Sequence, residues 1–222
     1  MQGERLEEFK KHPDFQAWQK SLHSCMLVLA GYNNESVYST RECWLSSIAL
    51  DMIERVKESR QSEPYAYILG LQEEDKAFPR VLSCIVLQLL LSSPQVLQND
   101  AQYAELCAEI EAYSAATKSE QEYSNISNVL LEKVALRILN LFDRTKTVWI
   151  ILDRVDQCNP GKKGHRRMLM RTLVHLIQKA TVTVKVLAVV NGYDWRVDEE
   201  GDELEQDRDA HVIIHQGRQG IY

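Results

Sequence analysis

Two carboxylates three positions apart, Asp153 and Asp156, follow the apolar run Val148-Trp149-Ile150-Ile151-Leu152. An unbroken run rich in Ile and Val reads as a strand buried on both faces, the kind found in parallel sheets covered by helices. Asp153 then falls at the C-terminal end of the strand, where open α/β sheets receive their ligands. A carboxylate in that position can help hold Mg²⁺ against bound phosphates. Asp153 and Asp156 are therefore the candidate metal ligands, and the chemistry they point to is the binding of ATP or GTP with Mg²⁺.

Such chemistry needs a phosphate cradle on another strand. Cys25-Met26-Leu27-Val28-Leu29-Ala30 is a second buried-strand candidate and runs directly into Gly31-Tyr32-Asn33-Asn34. Helical spacing is expected over Arg41–Arg55, with Trp44, Leu45, Ile48, Ala49, Met52, Ile53 and Val56 on the apolar side. In a β-loop-α unit of this kind, loop amides and the helix N-terminus bind phosphate. A full phosphate loop would read G-x-x-x-x-G-K-[ST], its Lys reaching the β- and γ-phosphates and its hydroxyl holding Mg²⁺. Counted from Gly31, Ser36 takes the place of the second Gly, Val37 that of the Lys and Tyr38 that of the hydroxyl. Sliding the frame brings Ser39 or Thr40 to the hydroxyl position, but no frame supplies a lysine, and Arg41 is the nearest cation. The candidate phosphate-binding residues are Gly31, Asn33, Asn34, Ser36, Ser39, Thr40 and Arg41. Gly161-Lys162 also stands between a strand and a helix, yet Asp156 lies where its first Gly belongs and Lys163 where its hydroxyl belongs. That turn reads as solvated and basic.

The remaining elements must hold these two loops side by side. Pro13 starts a short helix carrying Phe15 and Trp18, and Tyr65–Gly70 reads as a short strand. Apolar helices are expected over 80–91 and 128–142, with an interrupted helical stretch between them and a loop over 114–127. A basic amphipathic helix, His165–Lys179, follows the acidic turn. Thr181–Val190 and His211–His215 supply the last strands, separated by an acidic segment. The order β-α-β-α-α-β-α-β-loop-β predicts a three-layer α/β fold with a mainly parallel sheet. Residues 1–24 form a helical lead-in and 25–222 the domain.

Composition narrows the functional classes. A chain of 222 residues with net charge -6 and pI near 5.6 has no electrostatic footprint for nucleic acid. No apolar run approaches the ~20 residues needed to span a bilayer, and the charged start lacks a signal peptide's apolar segment. The five cysteines show no C-x-x-C pair and several lie in apolar runs, which fits reduced thiols in a cytoplasmic protein. The six histidines show no ligand spacing, so no histidine metal site is expected; His211 and His215 share only one side of a strand. The four tryptophans read as core anchors.

Taken together, Phe15-Gln16-Ala17-Trp18, Leu27-Val28-Leu29-Ala30-Gly31, the helix Val81–Leu90 and Ile150-Ile151-Leu152-Asp153-Arg154-Val155-Asp156-Gln157-Cys158 resemble a known family. It is the NACHT-type, nephrocystin-like N-terminal P-loop NTPase domain of fungal STAND proteins, and the resemblance covers nearly the whole chain. It implies a P-loop NTPase-like fold and a nucleotide-driven switch in signalling and self-assembly, with protein partners or self-association and no membrane. It equates Asp153 with the Mg²⁺-associated Asp and Asp156 with the next family acid. The Glu that would polarise water is replaced by Gln157, and a carboxamide cannot accept a proton as a carboxylate does. The sensor arginine expected after the next strand is replaced by Asn191-Gly192, with Arg196 the nearest substitute. The expectation is a degenerate NACHT/STAND-like module with weak or no hydrolysis, a pseudo-NTPase. The alternative is a divergent working NTPase in which Arg41 or Lys162 supplies the missing cation. In either case the chain reads as one domain of a longer product or as a free-standing truncated relative.

Overall fold

The computed structural model describes residues 7–32, 45–58, 63–70, 77–92, 97–119, 125–158, 163–192, 195 and 211–218. Their elements in chain order are α1 (Pro13–Lys20), β1 (Cys25–Tyr32), α2 (Ser46–Glu58), β2 (Tyr65–Ile68), α3 (Phe78–Ser92), α4 (Asp100–Ser119) and α5 (Asn125–Leu139). Then come β3 (Thr147–Leu152), a 3₁₀ turn (Val155–Gln157), α6 (Lys163–Lys179), β4 (Thr183–Asn191) and β5 (His211–Arg218). The strands form one five-stranded sheet in the order β2-β3-β4-β1-β5, and every pairing is parallel. Helices cover both faces, so the expected three-layer α/β architecture is the one observed.

The period-2 alternation of strand side chains builds the two inter-layer cores. Along β1, Met26, Val28 and Ala30 face a core shared with α3, α5 and α6. Cys25, Leu27 and Leu29 face the other core, where Phe15 and Trp18 of α1 pack with Ile48, Met52 and Ile53 of α2. Both faces of β1, β3 and β4 are thus removed from water, as their unbroken apolar sequences require. The N-terminal helix is part of the second core, with Phe15 and Trp18 fully buried.

Two buried or edge positions show how the sheet is finished. Lys185 in β4 sends its ammonium to the backbone carbonyls of Trp18 (2.8 Å) and Ser21 (2.6 Å), capping the end of α1, where carbonyls lack helical partners. At the β2 edge the Gln88 side chain accepts from the Tyr67 N–H and donates to the Tyr67 carbonyl, both at 2.9 Å. That double bond occupies backbone groups that would otherwise template further strand addition.

The helix boundaries differ from the sequence expectation in two places. The stretch expected as a loop over 114–127 is mostly helical, since α4 runs to Ser119 and α5 starts at Asn125, giving three helices between β2 and β3. Polar α4 is held against α5 by charge as well as packing: Arg137 bridges Glu105 and Glu109, and Lys133 reaches Glu109. The described helix α2 covers Ser46–Glu58, ending three residues beyond the expected Arg55, while positions 41–44 of the expected helix lie outside the described residues. Among the described residues no helix is long and apolar enough to cross a membrane.

Candidate functional site

The C-terminal ends of β1, β4 and β3 lie side by side, because β4 sits between the other two. Gly31 of β1 is paired with Asn191 of β4, and the Gly192 N–H donates to the Gly31 carbonyl at 2.8 Å. Leu152 of β3 pairs with Ala188, and the Asp153 N–H continues the ladder to Ile68 of β2. Gly31, Asn191 and Asp153 therefore end three neighbouring strands at one end of the sheet, where the sequence had put the ligand.

Asp153 follows β3, beside the central β4, and is only 8 % exposed. The Ser46 hydroxyl, on the first residue of α2, donates to Asp153 Oδ1 at 2.7 Å. Loss of water around the carboxylate dominates its ionisation and pushes its pKa up to about 6, against the opposing pull of the Ser46 bond and the Arg154 charge. The result is a desolvated carboxylate beside a hydroxyl at a helix N-terminus. Hard divalent cations take this set of oxygen donors, so the pair fits a Mg²⁺ ion.

Asp156 has different surroundings. Its side chain is fully buried, and Arg154 grips it through Nε (3.1 Å to Oδ1) and Nη2 (2.6 Å to Oδ2). The Asn191 N–H donates to Oδ1 at 2.8 Å. The carboxylate thereby ties the turn after β3 to the end of β4. Arg154 is the one described non-glycine residue with positive φ (64°), a conformation costing about 1–2 kcal/mol for an L-residue. The bidentate ion pair holds it there. Arg166 of α6 lies over the ring of buried Trp195 at 5.2 Å, and the Trp195 N–H donates to the Asn191 carbonyl, closing the far side of the β4 end. The Cys158 thiol is buried and pushed up to about 12 by desolvation, which favours the protonated thiol at neutral pH.

Among the sequence candidates, Asp153, Asp156 and Gly31 are brought to this edge, with Gly31 in the β1 strand. Asn33, Asn34, Ser36, Ser39, Thr40 and Arg41 lie outside the described residues, as do Lys162 and Arg196. Ser46 is the residue that motif counting missed. A fixed spacing from Gly31 stops at 38–40, whereas the hydroxyl that reaches Asp153 lies where the helix begins. The local signal was present: Ser46-Ser47 directly precedes the apolar periodic stretch Ile48, Ala49, Met52 and Ile53.

A family model described as Nephrocystin 3, N-terminal, matches residues 4–189, which takes in β1 through most of β4 and stops short of β5. No curated protein matches the chain significantly.

Proposed function

The chain belongs to the nephrocystin 3 N-terminal family, and from that premise we propose that it is a degenerate nucleotide-fold module of the NACHT/STAND kind, acting through protein contacts with weak or no NTP hydrolysis. The observation that carries the reading is the contrast between the two acids. Asp153 keeps a hydroxyl partner and a costly desolvated carboxylate at the strand end, while Asp156 is consumed by Arg154 and the Asn191 amide. In this reading Asp153 and Ser46 would hold Mg²⁺, which when bound neutralises phosphate charge. Asp156 is structural. Gln157 follows it where a general base would be needed, and a carboxamide cannot take the proton of an attacking water. The fold and one half of a cation site persist without the group that would activate water.

Phosphate release from ATP and GTP with Mg²⁺ tests this directly. The expected turnover is far below the roughly 1 s⁻¹ that marks the slow end of ordinary enzymes, and turnover at or above that rate would overturn the proposal.

The Ser46–Asp153 pair also favours a second reading, a divergent NTPase switch in which Arg41 or Lys162 meets the phosphates. Turnover separates the two, and thermal denaturation with millimolar ATP-Mg²⁺ or GTP-Mg²⁺ tests the nucleotide binding that the switch reading requires. A nucleotide at 100 times its dissociation constant adds about 2.7 kcal/mol of stability. The switch reading requires such a shift and its loss of Mg²⁺ dependence in Asp153→Ala.

A further inference from the structure

Away from the strand ends, the tertiary structure brings His215 to two potential metal ligands, His12 and Asp14, about two hundred positions earlier in the chain. His12 precedes α1, Asp14 lies in its first turn, and His215 lies in the middle of β5. Asp14 Oδ2 stands 3.0 Å from His215 Nδ1 and 3.4 Å from His12 Nδ1. One donor atom from each of the three lies within 4.8 Å of the other two. We propose that His12, Asp14 and His215 form a Zn²⁺ site that clamps the start of α1 to the edge strand β5.

The spacing suits that ion. Bonds of ~2.0–2.1 Å at a tetrahedral centre put neighbouring ligand atoms about 3.3 Å apart, close to the two measured separations. Two imidazoles and a carboxylate are also the donor types zinc takes at sites that keep a fourth, open position. The fourth position here faces solvent: the His12 and Asp14 side chains are 32 % and 38 % exposed, while His215 is 6 % exposed on the protein side. Phe9 forms the dry wall, stacked at 6.1 Å on His12 and edge-on at 5.1 Å to His215, and the two imidazoles meet at 4.2 Å. Such an apolar surround fixes ring orientation and limits solvent access. Burial pulls His215 below its ordinary pKa, although the hydrogen bond to Asp14 pulls the other way. The ion would displace two contacts, the 3.0 Å hydrogen bond between His215 Nδ1 and Asp14 Oδ2 and the 3.3 Å bond from the Asp14 N–H to His12 Nδ1 that caps α1.

The site has a clear mechanical role. β5 is an edge strand held by β1 on one side only, and it follows the family-matched segment in the chain. A metal bond between His215 and the α1 turn would fasten this strand to the N-terminal core, making its docking dependent on zinc.

The test is titration of the full chain with ZnCl₂, followed by calorimetry, with CoCl₂ as a spectroscopic probe. One equivalent should bind at micromolar or tighter affinity, and Co²⁺ should give the intense visible bands of a tetrahedral centre. Zn²⁺ should slow amide exchange along β5. His12→Asn keeps a capping side chain and removes a ligand at a partly exposed position, so it should fold and lose affinity by about 100-fold, as should Asp14→Asn. His215→Ala, which also opens the core, is secondary. Absence of binding at 100 µM Zn²⁺ would overturn the proposal. Binding unchanged in both His12→Asn and Asp14→Asn, which would place the ion on cysteines or elsewhere, would overturn it equally.

Discussion

Replacing Asp153 by Asn should stabilise the protein at neutral pH, an unusual outcome for a buried polar position. The carboxyl binds its proton more tightly in the folded chain, at about 6, than at its ordinary value of 3.8. Ionisation therefore costs native stability progressively as pH rises from about 4 to about 6, and the full cost is present above that range. At 1.36 kcal/mol per unit the penalty is roughly 3 kcal/mol at pH 7.5, with little solvent screening because the group is 8 % exposed. Asn removes the charge and still accepts from the Ser46 hydroxyl. Its NH₂ replaces a carboxylate oxygen, and a poorly paired buried amide returns about 1–2 kcal/mol of that gain. The expected net effect is about 1–2 kcal/mol of added stability, a rise of roughly half a molar in the urea midpoint for a slope of ~2–3 kcal/mol/M. At pH 5 most of the wild-type carboxyl is protonated in the fold, the penalty falls to roughly 1.6 kcal/mol, and the gap should nearly close. Paired urea unfolding curves at pH 7.5 and pH 5 measure both quantities. A variant less stable than wild type at pH 7.5, or a gap that does not change with pH, would refute the account of Asp153 as a desolvated, destabilising carboxylate. Millimolar Mg²⁺ should raise the wild-type midpoint and leave the Asn variant unmoved if the Ser46–Asp153 pair takes the ion.

Other perturbations follow from the same geometry. Asp156→Ala leaves the Arg154 guanidinium buried without its carboxylate and orphans the Asn191 N–H, and it should cost about 3–5 kcal/mol in chemical denaturation. Ser46→Ala removes a bond that lowers the Asp153 pKa, so the pH midpoint of the Asp153-dependent stability change should move upward, readable by titrating stability from pH 4 to pH 8. Lys185→Met keeps the volume but strips the cap from the Trp18 and Ser21 carbonyls; loss of about 2–3 kcal/mol, with amide exchange accelerated at the end of α1, is expected. Trp18→Ala opens a cavity beneath Trp149, whose ring it meets edge-on at 5.7 Å, and should cost about 3–5 kcal/mol with a visible change in the remaining tryptophan fluorescence.

Fold class was legible in the sequence because burial on both faces forces unbroken apolar strands, and β1, β3 and β4 show them plainly. That Gly31, Asp153 and Asn191 share one end of the sheet was legible too, since residues that close parallel strands can only gather at one end. Where helices end was harder to read. Polar α4 carries no clear apolar stripe in its sequence, and so its last turns resembled a loop. Asp153 and Asp156 looked alike as a spaced pair; only the fold shows one turned to a serine hydroxyl and the other locked by an arginine in left-handed backbone. Ser46 was hidden by the assumption of a fixed loop length. His12, Asp14 and His215 illustrate the sharpest limit. Local spacing governs which residues share a helix or strand face, but metal ligands need only meet in space. It is the parallel pairing of β5 with β1, beside α1, that closes two hundred residues of chain to 3.0 Å.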